Sequence, residues 1–164
     1  MNQYVKQYQK SSIETASREQ ILIMLYDGAI QFLNKAKTAL QNNEIEDAHN
    51  NIIRAENIIQ EFIDSLDKEV APQLAQNLTS LYEYFIRRLT YANMKKQVAP
   101  INEVLNYLKS LKATWEQAIV MAQKEEQKNS IDSYTDLSKS HVDISDEDDF
   151  DDDEDDEDDD DEDE

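Results

Sequence analysis

Glu46-x-x-His49 is the spacing in this chain that comes nearest to metal chemistry. Paired Glu-x-x-His motifs on facing helices, with two further inward glutamates, build di-iron centres in helical bundles. Here the second motif is missing. The other histidine, His141, has Ser138 three residues before it. Glu46 and His49 also fall outside the apolar seam Ile45–Ala48–Ile52, so they do not aim at a core. Two histidines, one glycine and no cysteine leave nothing to build the other familiar sites. A Ser-His-Asp set, a Cys-His pair, a thiolate zinc site and a glycine-rich phosphate loop all drop out. The sequence reads as a non-enzyme with no catalytic residue, no metal and no cofactor.

If the chain does no chemistry, its surfaces must carry the function. The charge is unevenly placed. There are 37 acidic and 16 basic residues, but residues 143–164 are acidic throughout except for Ile144, Ser145 and Phe150. The remainder is close to neutral and large enough for one core. The first residues lack an apolar signal-peptide run. The longest apolar run is far short of the roughly 18 residues that span a membrane. These features predict a cytoplasmic protein with no membrane insertion. An acidic end also repels phosphate, so no nucleic-acid partner is expected.

Residues 15–33 hold the densest signal. Ser17 and Gln20 form an S-x-x-Q capping box that starts a helix. Ile21, Leu22, Ile23, Met24, Leu25 and Tyr26 then cover every side of its first turns, and a helix apolar all round must bury its outer side too. Asp27-Gly28 between two apolar runs is also a hairpin signal. The first run does not alternate and the second favours helix, which decides for helix. Gly28 then stands mid-helix, as a point of close approach by a second backbone or as a tolerated defect costing about 1 kcal/mol.

Turn signals divide residues 18–127 into four helices. The first, 18–41, has the seam Leu22, Leu25, Ala29, Phe32, Ala36, Ala39. After Asn42-Asn43, with Asn43 and Glu46 as its expected cap, the second covers 44–66 on Ile45, Ala48, Ile52, Ala55, Ile59, Phe62, Leu66. Pro72 suits the first turn of the third, whose seam is Ala75, Leu78, Tyr82, Phe85, Leu89, Ala92. Pro100 opens the fourth, with Ile101, Val104, Leu108, Leu111, Trp115, Ala118, Ala122. Steps of three and four with short connections predict an all-α, antiparallel four-helix bundle over residues 17–128.

Two ends flank the bundle. Residues 1–16 carry Tyr4, Val5, Tyr8 and Ile13 among polar neighbours, which reads as a frayed end or as an N-terminal strap across the bundle. Residues 129–164 read as a disordered acidic C-terminal tail that cannot bury enough apolar surface to fold. Its bland role is solubility; the sharper one is mimicry of nucleic acid toward a basic protein. Apolar residues beyond the seams mark a partner surface. The candidates are Ile23, Tyr26 and Ile30 beside the first seam, Tyr107 on the fourth helix, and Tyr4, Val5 and Tyr8 as a strap covering the same groove. Eight tyrosines suit surfaces that are sometimes wet and sometimes covered.

Several blocks carry a family likeness. Thr15-Ala16-Ser17 followed by Leu25-Tyr26-Asp27-Gly28-Ala29 resembles the flagellin-specific secretion chaperones, the FliS family. Arg54-Ala55 with Ile58-Ile59 and Glu61 is similar to that family's second helix. Leu74-Ala75-x-Asn77-Leu78-x-x-Leu81-Tyr82-x-Tyr84 and Arg87-Arg88-Leu89 are similar to its third. Ala92-Asn93 and Trp115 fit the ends of the third and fourth. The resemblance spans about residues 8–123. Two departures stand out: Val70-Ala71-Pro72 replaces a frequent Gly-Gly pair, and the acidic tail has no counterpart. The resemblance implies an antiparallel bundle that binds the C-terminal segment of flagellin, prevents its premature polymerisation and assists its delivery to the flagellar export apparatus. The competing reading from another class is a helical adaptor whose acidic tail binds basic proteins.

Overall fold

A computed structural model describes residues 17–140. The expected strap, with Tyr4, Val5 and Tyr8, and the acid-rich end after residue 140 lie outside the described residues. Four helices follow one another: α1 (Arg18–Gln41), α2 (Ile45–Ser65), α3 (Pro72–Lys95) and α4 (Ala99–Ser140). There is no strand among the described residues, and the fold is a four-helix bundle.

Local chemistry sets the ends. Ser17 Oγ accepts from the Gln20 backbone N–H at 3.2 Å, and Gln20 Oε1 accepts from the Ser17 N–H at 3.0 Å. This is the predicted capping box, which satisfies two orphan donors at once. The α1–α2 connection differs from expectation. Asn43 caps nothing; it takes a left-handed conformation (φ 66°) that asparagine tolerates, and Glu44 precedes α2 without a side-chain cap. Pro72 occupies the first turn of α3 as expected, and α3 ends on left-handed Lys96.

Ring contacts fix the antiparallel order. Tyr26 near the start of α1 stacks on Phe62 near the end of α2, with centroids 4.5 Å apart, and Phe62 meets Tyr82 of α3 at 5.4 Å. At the other end of α2, His49 Nδ1 accepts from Asn93 at 2.7 Å. On α4, Lys112 Nζ lies 2.7 Å from Asp27 of α1. Close backbone approaches are most numerous between α1 and α2, then between α2 and α3. Small residues at buried positions of α1 and α2, such as Ala29, Ala36, Ala48 and Ala55, permit that approach. The long side chains Tyr84, Arg88, Lys112 and Trp115 bridge to and from α4.

The core confirms the seam of α3 and that of α2 from Ala48 to Phe62, and corrects the rest: Ile45 is 41% exposed and Leu66 only half-buried. Ala75, Leu78, Tyr82, Phe85, Leu89 and Ala92 are all buried, as are Ala48, Ile52, Ala55, Ile59 and Phe62. On α1 the buried line is Tyr26, Ala29, Leu33, Ala36, Ala39, with Leu22, Leu25 and Phe32 only packed against it. On α4 the core holds Ile101, Val104, Leu105 and Leu108, while Ala118 and Ala122 are exposed. The helix also runs past residue 128, the expected end of the bundle, to Ser140. The chain divides into two compact units after Ala122. The first contains the bundle. The described part of the second is the remainder of α4, exposed from Gln123 through Asp132.

Candidate partner-binding surface

The predicted surface residues fall in three different places. Tyr26 is not on a surface at all. It is fully buried, and its hydroxyl sits 2.6 Å from that of Tyr82 and accepts from Trp115 Nε1 at 3.0 Å. Burial, then the Tyr82 hydroxyl, pushes the Tyr26 phenol far above its ordinary value; burial also raises Tyr82. The pair therefore stays neutral and serves as a polar clasp within an aromatic core. The placement of Tyr26 beside the seam is thus corrected. Because residues 21–26 are apolar on every side, the sequence could not fix the rotation of α1. Tyr26, Ala29, Leu33 and Ala36 also step by threes and fours, and the tyrosine hydroxyl found buried partners.

Ile23 and Ile30 are half-buried on α1. Ile30 borders an open groove of about 730 Å³ on the α1–α2 side, together with Asp27, Asn34, Asn51 and Arg54. The Arg54 guanidinium spans from α2 to lie 5.6 Å from the centroid of the Phe32 ring on α1. Asn51 Nδ2 donates to the Asp47 carbonyl, but its buried Oδ1 has no donor. Gly28 is approached by a side chain and not by a second backbone: a Cβ there would stand 3.3 Å from Ile58 Cδ1.

Tyr107 belongs to another face. It is 47% exposed and packs on Phe85 of α3 at 5.4 Å between centroids. Around it stand Tyr84 and Arg88, both bound to Glu103 of α4. Tyr84 Oη donates to Glu103 Oε1, and Arg88 Nε donates to Oε2 at 2.8 Å. These bonds hold the Glu103 carboxyl below its ordinary range, Tyr84 contributing most, and raise the Tyr84 phenol. Tyr91 and Met94, 42% and 73% exposed, extend this side of α3. The argument from surplus apolar residues misses Met94, which sits near the helix end where no period singles it out.

Glu46 and His49 are exposed on α2, and no group able to hold a metal occurs among the described residues. No helix among them is long and apolar enough to cross a membrane. Apolar side chains stay exposed or half-buried on two sides of a closed core. The sequence model of the family described as flagellar protein FliS matches residues 1–124. The chain belongs to the FliS family. It is 34% identical over 118 residues to the flagellar secretion chaperone FliS of Bacillus subtilis, a match covering 72% of this chain and 87% of that one. With the Escherichia coli FliS chaperone it shares 32% identity, over 68% of this chain and 82% of the other. A solved structure described as a flagellar chaperone from bacteria has the same fold: TM-score 0.60 at 20% identity, covering 71% of this chain and 95% of that one. The acid-rich end lies beyond the FliS match.

Proposed function

We propose that this chain is a cytoplasmic export chaperone that binds the C-terminal segment of flagellin. Bound there, it keeps flagellin from polymerising and assists its delivery to the flagellar export apparatus. Membership of the FliS family and relatives named flagellar secretion chaperones support the role. The observation that carries the binding mode is the separation of the apolar surplus onto two sides of the bundle. Ile30 borders the α1–α2 groove, while Tyr107 and Tyr91 stand on the α3–α4 side. One short helix cannot cover both. An unfolded segment can wrap a closed bundle and lay amphipathic pieces on each side, losing part of the contact energy to ordering.

Calorimetry with a C-terminal flagellin peptide tests this. Burying a side chain of this size contributes about 1.5–3 kcal/mol, or about one to two decades in affinity. Ile23→Asp with Ile30→Asp should weaken binding by at least one decade, and Tyr107→Asp should weaken it independently. Absence of binding by the unaltered chain sinks the flagellin reading. Binding that tolerates all three changes sinks the two-sided surface.

A further inference from the structure

We propose that the stretch of the flagellin C-terminal segment lying on the α3–α4 side is acidic and amphipathic, and docks on the outer face of the C-terminal half of α3; the inference rests on the chain's binding flagellin. That face is defined by Arg87, Tyr91 and Lys95, one helical turn apart, with Met94 beside them and Lys96 at the helix end. All five are exposed. Among the described residues Arg87 and Lys95 make no ion pair, and the Arg88 guanidinium, 5.7 Å from the Tyr91 ring centroid, pairs with Glu103.

Charge selects the occupant. With its capping Lys96, α3 sets Arg87, Arg88 and Lys95 against the single acid Glu83. Lys95 and Lys96 also suit the negative end of a helix dipole, but Arg87 stands two turns inside and has no such role. The flanks confine the attraction. On one side α2 carries Glu46, Asp47, Glu56, Glu61 and Asp64 against Arg54, and Glu56 accepts from Thr90 of α3 at 3.0 Å. On the other, Tyr84 and Arg88 already hold the Glu103 carboxylate. Ser110 and Thr114, which follow Tyr107 along α4, are exposed and uncharged. An acidic stretch is therefore repelled by α2 and drawn to α3. A nucleic acid would meet the same cations, but its dense charge also meets the α2 acids and a chain of net charge −21.

The face asks for apolar side chains as well. Tyr91 and Met94, 42% and 73% exposed, stand beside the cations, and Tyr107 is 47% exposed on α4. A pure acid run would meet the cations with no register. A stretch with apolar residues between its acids covers Tyr91 and Met94 while its carboxylates meet Arg87 and Lys95. Each exposed charge pair contributes less than about five-fold in affinity, and is screened over about 8 Å at physiological salt. The apolar contacts then hold the client, and the cations decide which part of it lies on this side.

Two measurements on the full chain with a C-terminal flagellin peptide test this. Carbodiimide joins a lysine amine to a carboxylate it touches. Coupling to the peptide's acids, read by mass spectrometry, should be several-fold stronger at Lys95 and Lys96 than at Lys68 and Lys109, which are exposed outside this face. In calorimetry at low salt, Arg87→Glu plus Lys95→Glu should weaken binding about ten-fold. The loss should shrink to about two-fold or less in about 1 M salt, where the screening length falls to about 3 Å. Lys68→Glu plus Lys109→Glu changes the net charge equally and should cost far less. Thermal melts should show that these exposed substitutions leave the bundle folded. No binding by the unaltered chain overturns the flagellin reading and this inference with it. Binding that tolerates reversal at Arg87 and Lys95, an equal loss from Lys68 and Lys109, or coupling spread evenly over the lysines overturns this inference alone. A single-stranded RNA that loses binding on reversal at Arg87 and Lys95, where the peptide keeps it, overturns it in favour of nucleic acid.

Discussion

Tyr26→Phe should be the most costly single-hydroxyl deletion in the bundle, and its cost should depend on Tyr82. Three protons, two phenolic and one indole, serve two oxygens in the cluster of Tyr26, Tyr82 and Trp115. The indole N–H donates to Tyr26. One phenolic proton bridges the 2.6 Å gap, and the other has no acceptor within the cluster. Tyr26→Phe removes both hydrogen bonds and leaves a buried Tyr82 hydroxyl alone beside a half-buried indole. A net hydrogen bond contributes about 0.5–1.5 kcal/mol, and an orphaned buried group costs about 1–3 kcal/mol. The expected loss is about 2–4 kcal/mol. Tyr82→Phe removes one bond and creates no additional orphan, so about 1 kcal/mol is expected. In the Tyr26→Phe background, however, Tyr82→Phe deletes the orphaned hydroxyl and should be neutral or stabilising. The coupling between the two positions is then about 1–3 kcal/mol. Urea unfolding of the four proteins, followed by circular dichroism and by the fluorescence of the single tryptophan, measures it. Equal cost of Tyr82→Phe in both backgrounds would refute the clasp and leave the two rings as ordinary core residues.

Other outcomes follow from single contacts. Ser17→Ala should destabilise by about 1 kcal/mol, because it breaks the capping box; a change within error in urea unfolding would mean that the box frays in solution. Gly28→Ala should stabilise by about 0.5–1 kcal/mol, since the gain in helix propensity of about 1 kcal/mol meets only the half-buried tip of Ile58. A loss would show that Ile58 cannot turn aside. The depressed Glu103 carboxyl contributes stability that is present above its unfolded pKa and lost as pH falls through its folded value. The stability difference between the unaltered chain and Glu103→Gln should therefore narrow on acidification, and a difference independent of pH would count against the Tyr84–Glu103–Arg88 cluster. Glu56 works with the opposite sign: burial raises its carboxyl, so it favours folding below its unfolded pKa and loses that effect as pH rises through the folded one.

The fold was legible wherever a helix had only one apolar stripe. On α3 the seam left Glu83, Arg87 and Lys95 no place but solvent, and the rotation of the helix followed. On α2 the acids did the same. On α1 the first two turns are apolar on every side, so periodicity carried no phase. The decision fell to Tyr82 and Trp115, whose polar atoms lie 56 and 89 residues away in sequence. A hydroxyl that finds partners at such separation cannot be inferred from local spacing. The capping box was legible because both of its hydrogen bonds span three residues. The Asn43 turn was misread because asparagine serves equally as a cap and as a left-handed residue.

The same reasoning explains why the candidate surface was only half legible. Surplus apolar residues signal that something beyond the core must be covered, but they do not say which of them the core itself takes. Tyr26 went to the core. Ile30 and Tyr107 remained at the surface on different sides, and Tyr91 and Met94 joined the latter. A folded partner would favour one continuous patch of apolar surface. The division of this surplus across a bundle whose centre is already filled is what an extended client requires.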